Sequence, residues 1–154
     1  MDLSLIFAIP GKPGLYKLIS RSKTNALVES LIDKKRLPVF SLDKVSSLEE
    51  IAIYTYEEEY PLIKLFRDIF NKEEGKVCIS PTEPEAKLKE YFLEILPNYD
   101  QERVYISNIK KVYQWYNLLL ANAMLDTELS PREKALEEAE NKEAAATEDS
   151  EKQN

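Results

Sequence analysis

The chain has no histidine, one cysteine, one tryptophan and three glycines among its 154 residues. Without histidine, the commonest general base, every Ser-His or Cys-His pair and the usual transition-metal ligand are missing. The single cysteine, Cys78, excludes an intrachain disulfide and a multi-cysteine metal site, and it fits a cytoplasmic home. Set between Val77 and Ile79, it reads as a small buried hydrophobe. Long apolar runs are lacking too: nothing approaches a membrane span, and Leu3 to Ile9 follows Asp2 where a signal peptide would be basic. No membrane partner and no cofactor are expected. Glycine is so scarce that the cluster Gly11-Lys12-Pro13-Gly14 stands out. It is too short for a phosphate-binding Walker loop and lacks the Lys-Ser/Thr pair such a loop needs, so it reads as a turn feeding a strand.

What the chain does have is 44% hydrophobic residues, enough to bury a core in one domain or in two small ones packed together. Its net charge of -7 is concentrated at one end: residues 126–154 hold ten acidic against four basic side chains, and the rest is almost neutral. Within that rest, residues 1–56 are mildly basic and residues 57–125 mildly acidic. From Ser130 onward there are too few large apolar side chains to offset conformational entropy. Residues 127–154 are therefore expected to form a disordered acidic tail.

Strand signals follow the glycine turn. Gly14 to Ser20, Ala26 to Leu31, Arg36 to Phe40 and Ile51 to Thr55 predict four short strands, with polar turns between them and a helical turn at Ser46 to Glu50. Leu3 to Ile9 mixes patterns and predicts a helical turn or an opening strand. Strands this short and closely spaced point to a small SH3-like antiparallel β-barrel over residues 1–58. Its second face offers a surface on which helices could dock.

Helical periodicity then takes over. Behind Glu57, Glu58, Glu59 and Pro61, the residues Leu62, Leu65, Phe66, Ile69 and Phe70 predict a helix from about Tyr60 to Asn71, stopped by Gly75. Thr82 and Glu85 form a capping-box pattern ahead of Leu88, Tyr91, Phe92 and Ile95, and Pro97 closes that second helix. Val77 to Ile79 and Val104 to Ile106 read as short extended pieces able to pair. Ser107, as N-cap, opens a third helix to Leu125 and completes a three-helix domain over residues 59–126. The fold class expected is α+β: barrel, three-helix domain, disordered tail.

The third helix carries the first candidate site. One stripe, Ile109, Val112, Tyr113, Tyr116 and Leu119, suits a core, but a second row contains Trp115 and Leu118 between the polar Lys111 and Asn122. Trp115 and Leu118 must cover either the strands or another molecule. The second candidate is a basic rim on the barrel, made of Lys12, Arg21, Lys23 and the turn Lys34-Lys35-Arg36, with Tyr16 beside it. Small barrels bind RNA or extended peptides through loops of this kind. The carboxylates at residues 57–59 and 73–74 flank helix ends, where a solvated structural role is the ordinary one.

Several stretches together resemble a family of small Bacteroidota proteins that carry a domain of unknown function: Gly11 to Lys17, Pro38-Val39-Phe40, Leu96 to Asp100, Arg103-Val104-Tyr105 and Ile109 to Lys111 with Trp115 to Leu119. The resemblance covers about residues 2–125, and the acidic tail is similar too. It implies a cytoplasmic protein with an N-terminal domain, SH3-like by the strand spacing, and a helical C-terminal domain; it implies no activity and no catalytic residue. The function expected is non-catalytic: an interaction or regulatory module for a protein partner, with no oligomeric state specified. RNA- or ribosome-associated binding through the basic rim is the alternative, and a carboxylate-based enzyme comes third.

Overall fold

The computed structural model describes residues 1–152, apart from the side chains of Asp43 and of residues 145–152. Four strands, β1 (Ile6–Phe7), β2 (Tyr16–Arg21), β3 (Ala26–Ser30) and β4 (Arg36–Val39), pair antiparallel in chain order. Along β3, Ala26, Val28 and Ser30 are buried while Leu27 and Glu29 are only half-buried, the period of two that a one-sided strand requires. The register sets Tyr16 against Ser30, Leu18 against Val28 and Val28 against Leu37. One face thereby gathers Phe7, Tyr16, Ala26 and Val28 over Leu42. The other carries Lys17, Glu29 and Arg36 in a cross-strand row, with Arg36 Nε 4.0 Å from Glu29 Oε1.

This sheet is open, so the closed SH3-like barrel expected over residues 1–58 is replaced by a four-stranded meander. The reason lies in the connection after β4. Leu48, in the second of two 3-10 turns (Leu42–Lys44 and Leu48–Glu50), is fully buried against the helices and carries the next strand away from the sheet. That strand, β5 (Ala52–Ile53), pairs with β6 (Tyr60–Pro61), and the Leu62 N–H donates to the Ile51 carbonyl at 2.9 Å.

Four helices follow: α1 (Leu62–Lys72), α2 (Glu85–Ile95), α3 (Ile106–Ala121) and α4 (Pro131–Lys152). The first three bury the stripes their spacing predicts, including Leu65, Phe66 and Ile69 of α1, Leu88 and Phe92 of α2, and Ile109, Val112, Tyr113, Tyr116 and Leu119 of α3. Two of the tyrosines are fully buried with their hydroxyls satisfied: Tyr113 donates to the Leu88 carbonyl at 2.6 Å and Tyr116 to that of Lys76 at 2.8 Å. Leu3, Ile6, Leu15, Leu31 and Leu48 from the strand region join the same cluster. Strand ends and helices therefore share a core, and the helices do not dock on the second face of the sheet.

Helix ends differ from the sequence expectation. Pro84, not Thr82, precedes α2, and the Thr82 hydroxyl lies 2.8 Å from that of Ser80. Ser107 lies inside α3; the helix is preceded by Tyr105, whose N–H donates to Asn108 Oδ1 at 2.9 Å. Val104 to Ile106 form no strand, and the nearby bridge joins Thr55 to Tyr99. The largest difference is α4, helical where a disordered tail is expected. Its start is a reciprocal capping box, in which the Glu133 N–H donates to Ser130 Oγ at 3.1 Å and the Ser130 N–H to Glu133 Oε2 at 2.8 Å, with Pro131 at the first helical position. Arg67 of α1 forms an ion pair with Glu133 and anchors that end. Among the described residues, no helix is long and apolar enough to cross a membrane.

Candidate functional site

The second row of α3 decides where the molecule is closed and where it is open. Residues 111, 115, 118 and 122 follow one another at helical spacing, so Lys111, Trp115, Leu118 and Asn122 line one strip. Its C-terminal half is covered. A Cβ placed on Gly14 would lie 2.5 Å from Ile32 Cδ1 and 3.5 Å from Leu118 Cδ2, so the glycine turn sits against Leu118 with Ile32 beside it. Gly14 also holds φ at +73°, the left-handed region that glycine occupies most easily. Below it, Asn122 Nδ2 donates to the Leu31 carbonyl at 3.3 Å, and Lys34 Nζ donates to Asn122 Oδ1.

The N-terminal half of the strip is open. Trp115 is half-buried and packs on the core with one part of its side chain, while it and Lys111 border two adjoining clefts. The first, about 160 Å³, lies between residues 51–54 and the start of α3 and is lined by Leu62, Val104, Asn108 and Val112 as well. At its mouth the Arg103 guanidinium stands 4.3 Å from the centre of the Tyr54 ring and donates from Nε to Asp100 Oδ2 at 2.8 Å. That hydrogen bond, with those from the Glu102 and Arg103 backbone, holds the Asp100 carboxyl below its usual range. The second cleft, about 310 Å³, is formed by residues 8–14 with Lys111, Gln114 and Trp115. Every charged residue lining the two clefts, Lys12, Arg103 and Lys111, is cationic. On a chain with net charge -7, that is a local reversal of sign.

The expected basic rim is divided. Lys34 and Lys35 occupy the β3–β4 turn, Arg36 opens β4, and Lys12 lies on the loop that ends at Gly14 beside Ile32, so these four belong to one end of the sheet. Two of them have partners within the molecule: Lys34 on Asn122 and Arg36 near Glu29. Arg21 and Lys23 lie in the β2–β3 region at the other end, roughly 13 Å away along β3. Tyr16 is buried under the sheet, 5% exposed, and is no part of a rim. The aromatic that does stand out is Phe40, 73% exposed beside Arg21 and Lys23 in a cleft otherwise made of Ser22, Thr24, Asn25, Ala26, Val39 and Leu42. Its position straight after β4 identifies it as outward-facing only once the end of that strand is known.

Cys78 is 7% exposed, and burial, with the Glu73 carboxylate adding to it, pushes its thiol up to about 12. At neutral pH it is a neutral, unreactive group. Among the described residues, no three histidine, cysteine or acidic side chains are grouped to hold a metal ion.

An open four-stranded meander joined to a helical unit through one core, with a cationic aromatic cleft at the join, defines a mixed α/β class. Comparison with known proteins places the chain further. Residues 3–48 match the family described as Domain of unknown function (DUF5606), and residues 51–119 match Domain of unknown function (DUF6852). A solution NMR structure of a protein from Bacteroides vulgatus is 44% identical, with alignment over 81% of this chain and 90% of that one and a TM-score of 0.61. No curated protein matches. The chain belongs to this Bacteroidota family of two successive domains of unknown function.

Proposed function

We propose that the protein is a non-catalytic interaction or regulatory module, acting in the cytoplasm, that binds a protein partner at the Trp115 clefts. The observation that carries this reading is the position of the only tryptophan: half-buried, beside Lys111, between two adjoining clefts. Tryptophan in such a setting offers a large, rigid contact area and is the residue type most often found at the energetic centre of an interface. The organisation behind it is an N-terminal unit and a helical unit, a division supported by two family matches that meet between residues 48 and 51.

The test is affinity capture from native cells, with nuclease present, using wild-type and Trp115→Ala baits. A nuclease-resistant protein retained by the wild type and lost from the variant supports the proposal. Equal retention on both baits contradicts it.

One observation favours RNA as a second reading: Phe40 is the most exposed large hydrophobic residue of the sheet region and lines one cleft with Arg21 and Lys23. An exposed ring among cations is the element on which single-stranded nucleic acid stacks. Under this reading, binding of an oligouridylate weakens steeply with added salt and falls on Phe40→Ala. Binding that is indifferent to both removes it.

A further inference from the structure

We propose that the first Trp115 cleft takes an extended acidic peptide of the partner as an added strand on β5. This rests on the protein-binding reading above and specifies what the site recognises. Backbone geometry is the starting point. The Ile51 carbonyl accepts the Leu62 N–H, so residue 51 turns its carbonyl toward β6 while its N–H closes the preceding turn on the Leu48 carbonyl, and the paired Ile53 and Tyr60 lie one alternation further on. In an antiparallel ladder the intervening residue faces the other way. The Tyr54 carbonyl confirms that direction by accepting the Asp100 N–H at 2.9 Å. Ala52 therefore turns its N–H and C=O away from β6, and its opposite number, Pro61, has no N–H to offer in any case.

The segment that bonds to Tyr54 does not continue along β5. After Asp100 the chain turns through Arg103 and Val104 into α3, and the cleft lies where a further strand would run. An unpaired edge of this kind binds an extended peptide by main-chain hydrogen bonds, while alternate side chains enter the neighbouring pockets. Here one set would meet Val104, Val112 and Trp115. The charge of the peptide follows from the rim. Among the described residues Lys111 and Lys12 form no ion pair and no carboxylate lines either cleft, while Arg103 is paired with Asp100. Acidic side chains on the peptide complement Lys111 at this cleft and Lys12 in the adjoining one, whereas a basic peptide would meet like charge.

The experiment selects ten-residue peptides from a displayed random library on the full chain and then measures the enriched peptides individually. Expected are sequences with alternating apolar and acidic positions that change the emission of the single tryptophan and shift the Ala52 amide resonance. Lys111→Glu and Ala52→Pro should each weaken them about tenfold, the latter by deleting the N–H that the added strand needs. Unchanged thermal unfolding of both variants would show that folding is not the cause. Enrichment of neutral or basic peptides overturns the proposal, as does no enrichment above a Trp115→Ala control, or binding unaffected by Ala52→Pro in a folded variant. An oligouridylate that displaces the peptides and shifts the same amide also overturns it, in favour of nucleic acid. A captured partner that depends on Trp115 but not on Ala52 would refute the added strand while leaving the protein-binding reading intact.

Discussion

Gly14 does two things at once: it adopts a left-handed backbone and lets Ile32 approach it more closely than a side chain would allow. Replacing it with alanine imposes about 1–2 kcal/mol of backbone strain, and the new methyl also displaces Ile32. Urea denaturation of Gly14→Ala should show that loss with little change in slope. Phe40 and Phe92 provide a contrast within one residue type. Phe92 is fully buried, with its ring centre 4.7 Å from that of Tyr99 in an edge-on arrangement, so Phe92→Ala should cost about 3–5 kcal/mol. Phe40→Ala, at a position 73% exposed, should change stability by less than about 0.5 kcal/mol and act only on a ligand. Periodicity reveals residues like Phe92, because a stripe repeated over three turns has few alternatives. It does not reveal residues such as Tyr16 or Phe40, whose exposure depends on which face of a short strand the chain covers later.

Among the elements, α4 shows how composition and local signals compete. Glutamate, lysine and alanine favour a helix, but the segment has almost nothing apolar to bury, and of residues 131–144 only Glu133 is buried. Composition alone reads as disorder; the pattern Ser130-Pro131-Arg132-Glu133, a capping box with proline at the first helical position, is the signal that marks the helix start. The anchor is electrostatic. Burial disfavours the charged form of Glu133, yet the hydrogen bonds from Arg67 and Ser130 outweigh it and hold the carboxyl below its ordinary value. A carboxyl depressed in the folded state contributes stability above its unfolded pKa and loses it as pH falls through the folded one. Amide exchange over residues 131–144 should therefore be insensitive to pH near neutrality, once intrinsic rates are allowed for, and lose protection in acid. Arg67→Ala should remove about 1.5–3 kcal/mol of anchoring at neutral pH and give the same loss there. Protection that is unchanged in Arg67→Ala would show that the ion pair does not hold the helix.

For the whole molecule, the core was more legible than the connections. The three helical stripes and strands β2, β3 and β4 follow from spacing, while the pattern of β1 fits a helical turn as well as a strand, and the open form of the sheet goes with the burial of Leu48, which no period announces. The same limit applied at the site. The row through Trp115 and Leu118 could be read from the sequence, but only the position of Gly14 against Leu118 shows which half of it the glycine turn meets and which half borders the clefts. The cations of the two clefts, Lys12 from the glycine loop and Arg103 and Lys111 from around the start of α3, come from opposite parts of the chain, so no local motif contains them. Under the proposed function this open half meets a protein. A photo-activatable benzoylphenylalanine in place of the exposed Gln114, which lines the second cleft beside Trp115, tests it in the native cell. The account predicts a discrete protein adduct that survives nuclease and disappears when Trp115→Ala is added. No adduct, or one destroyed by nuclease, would contradict it.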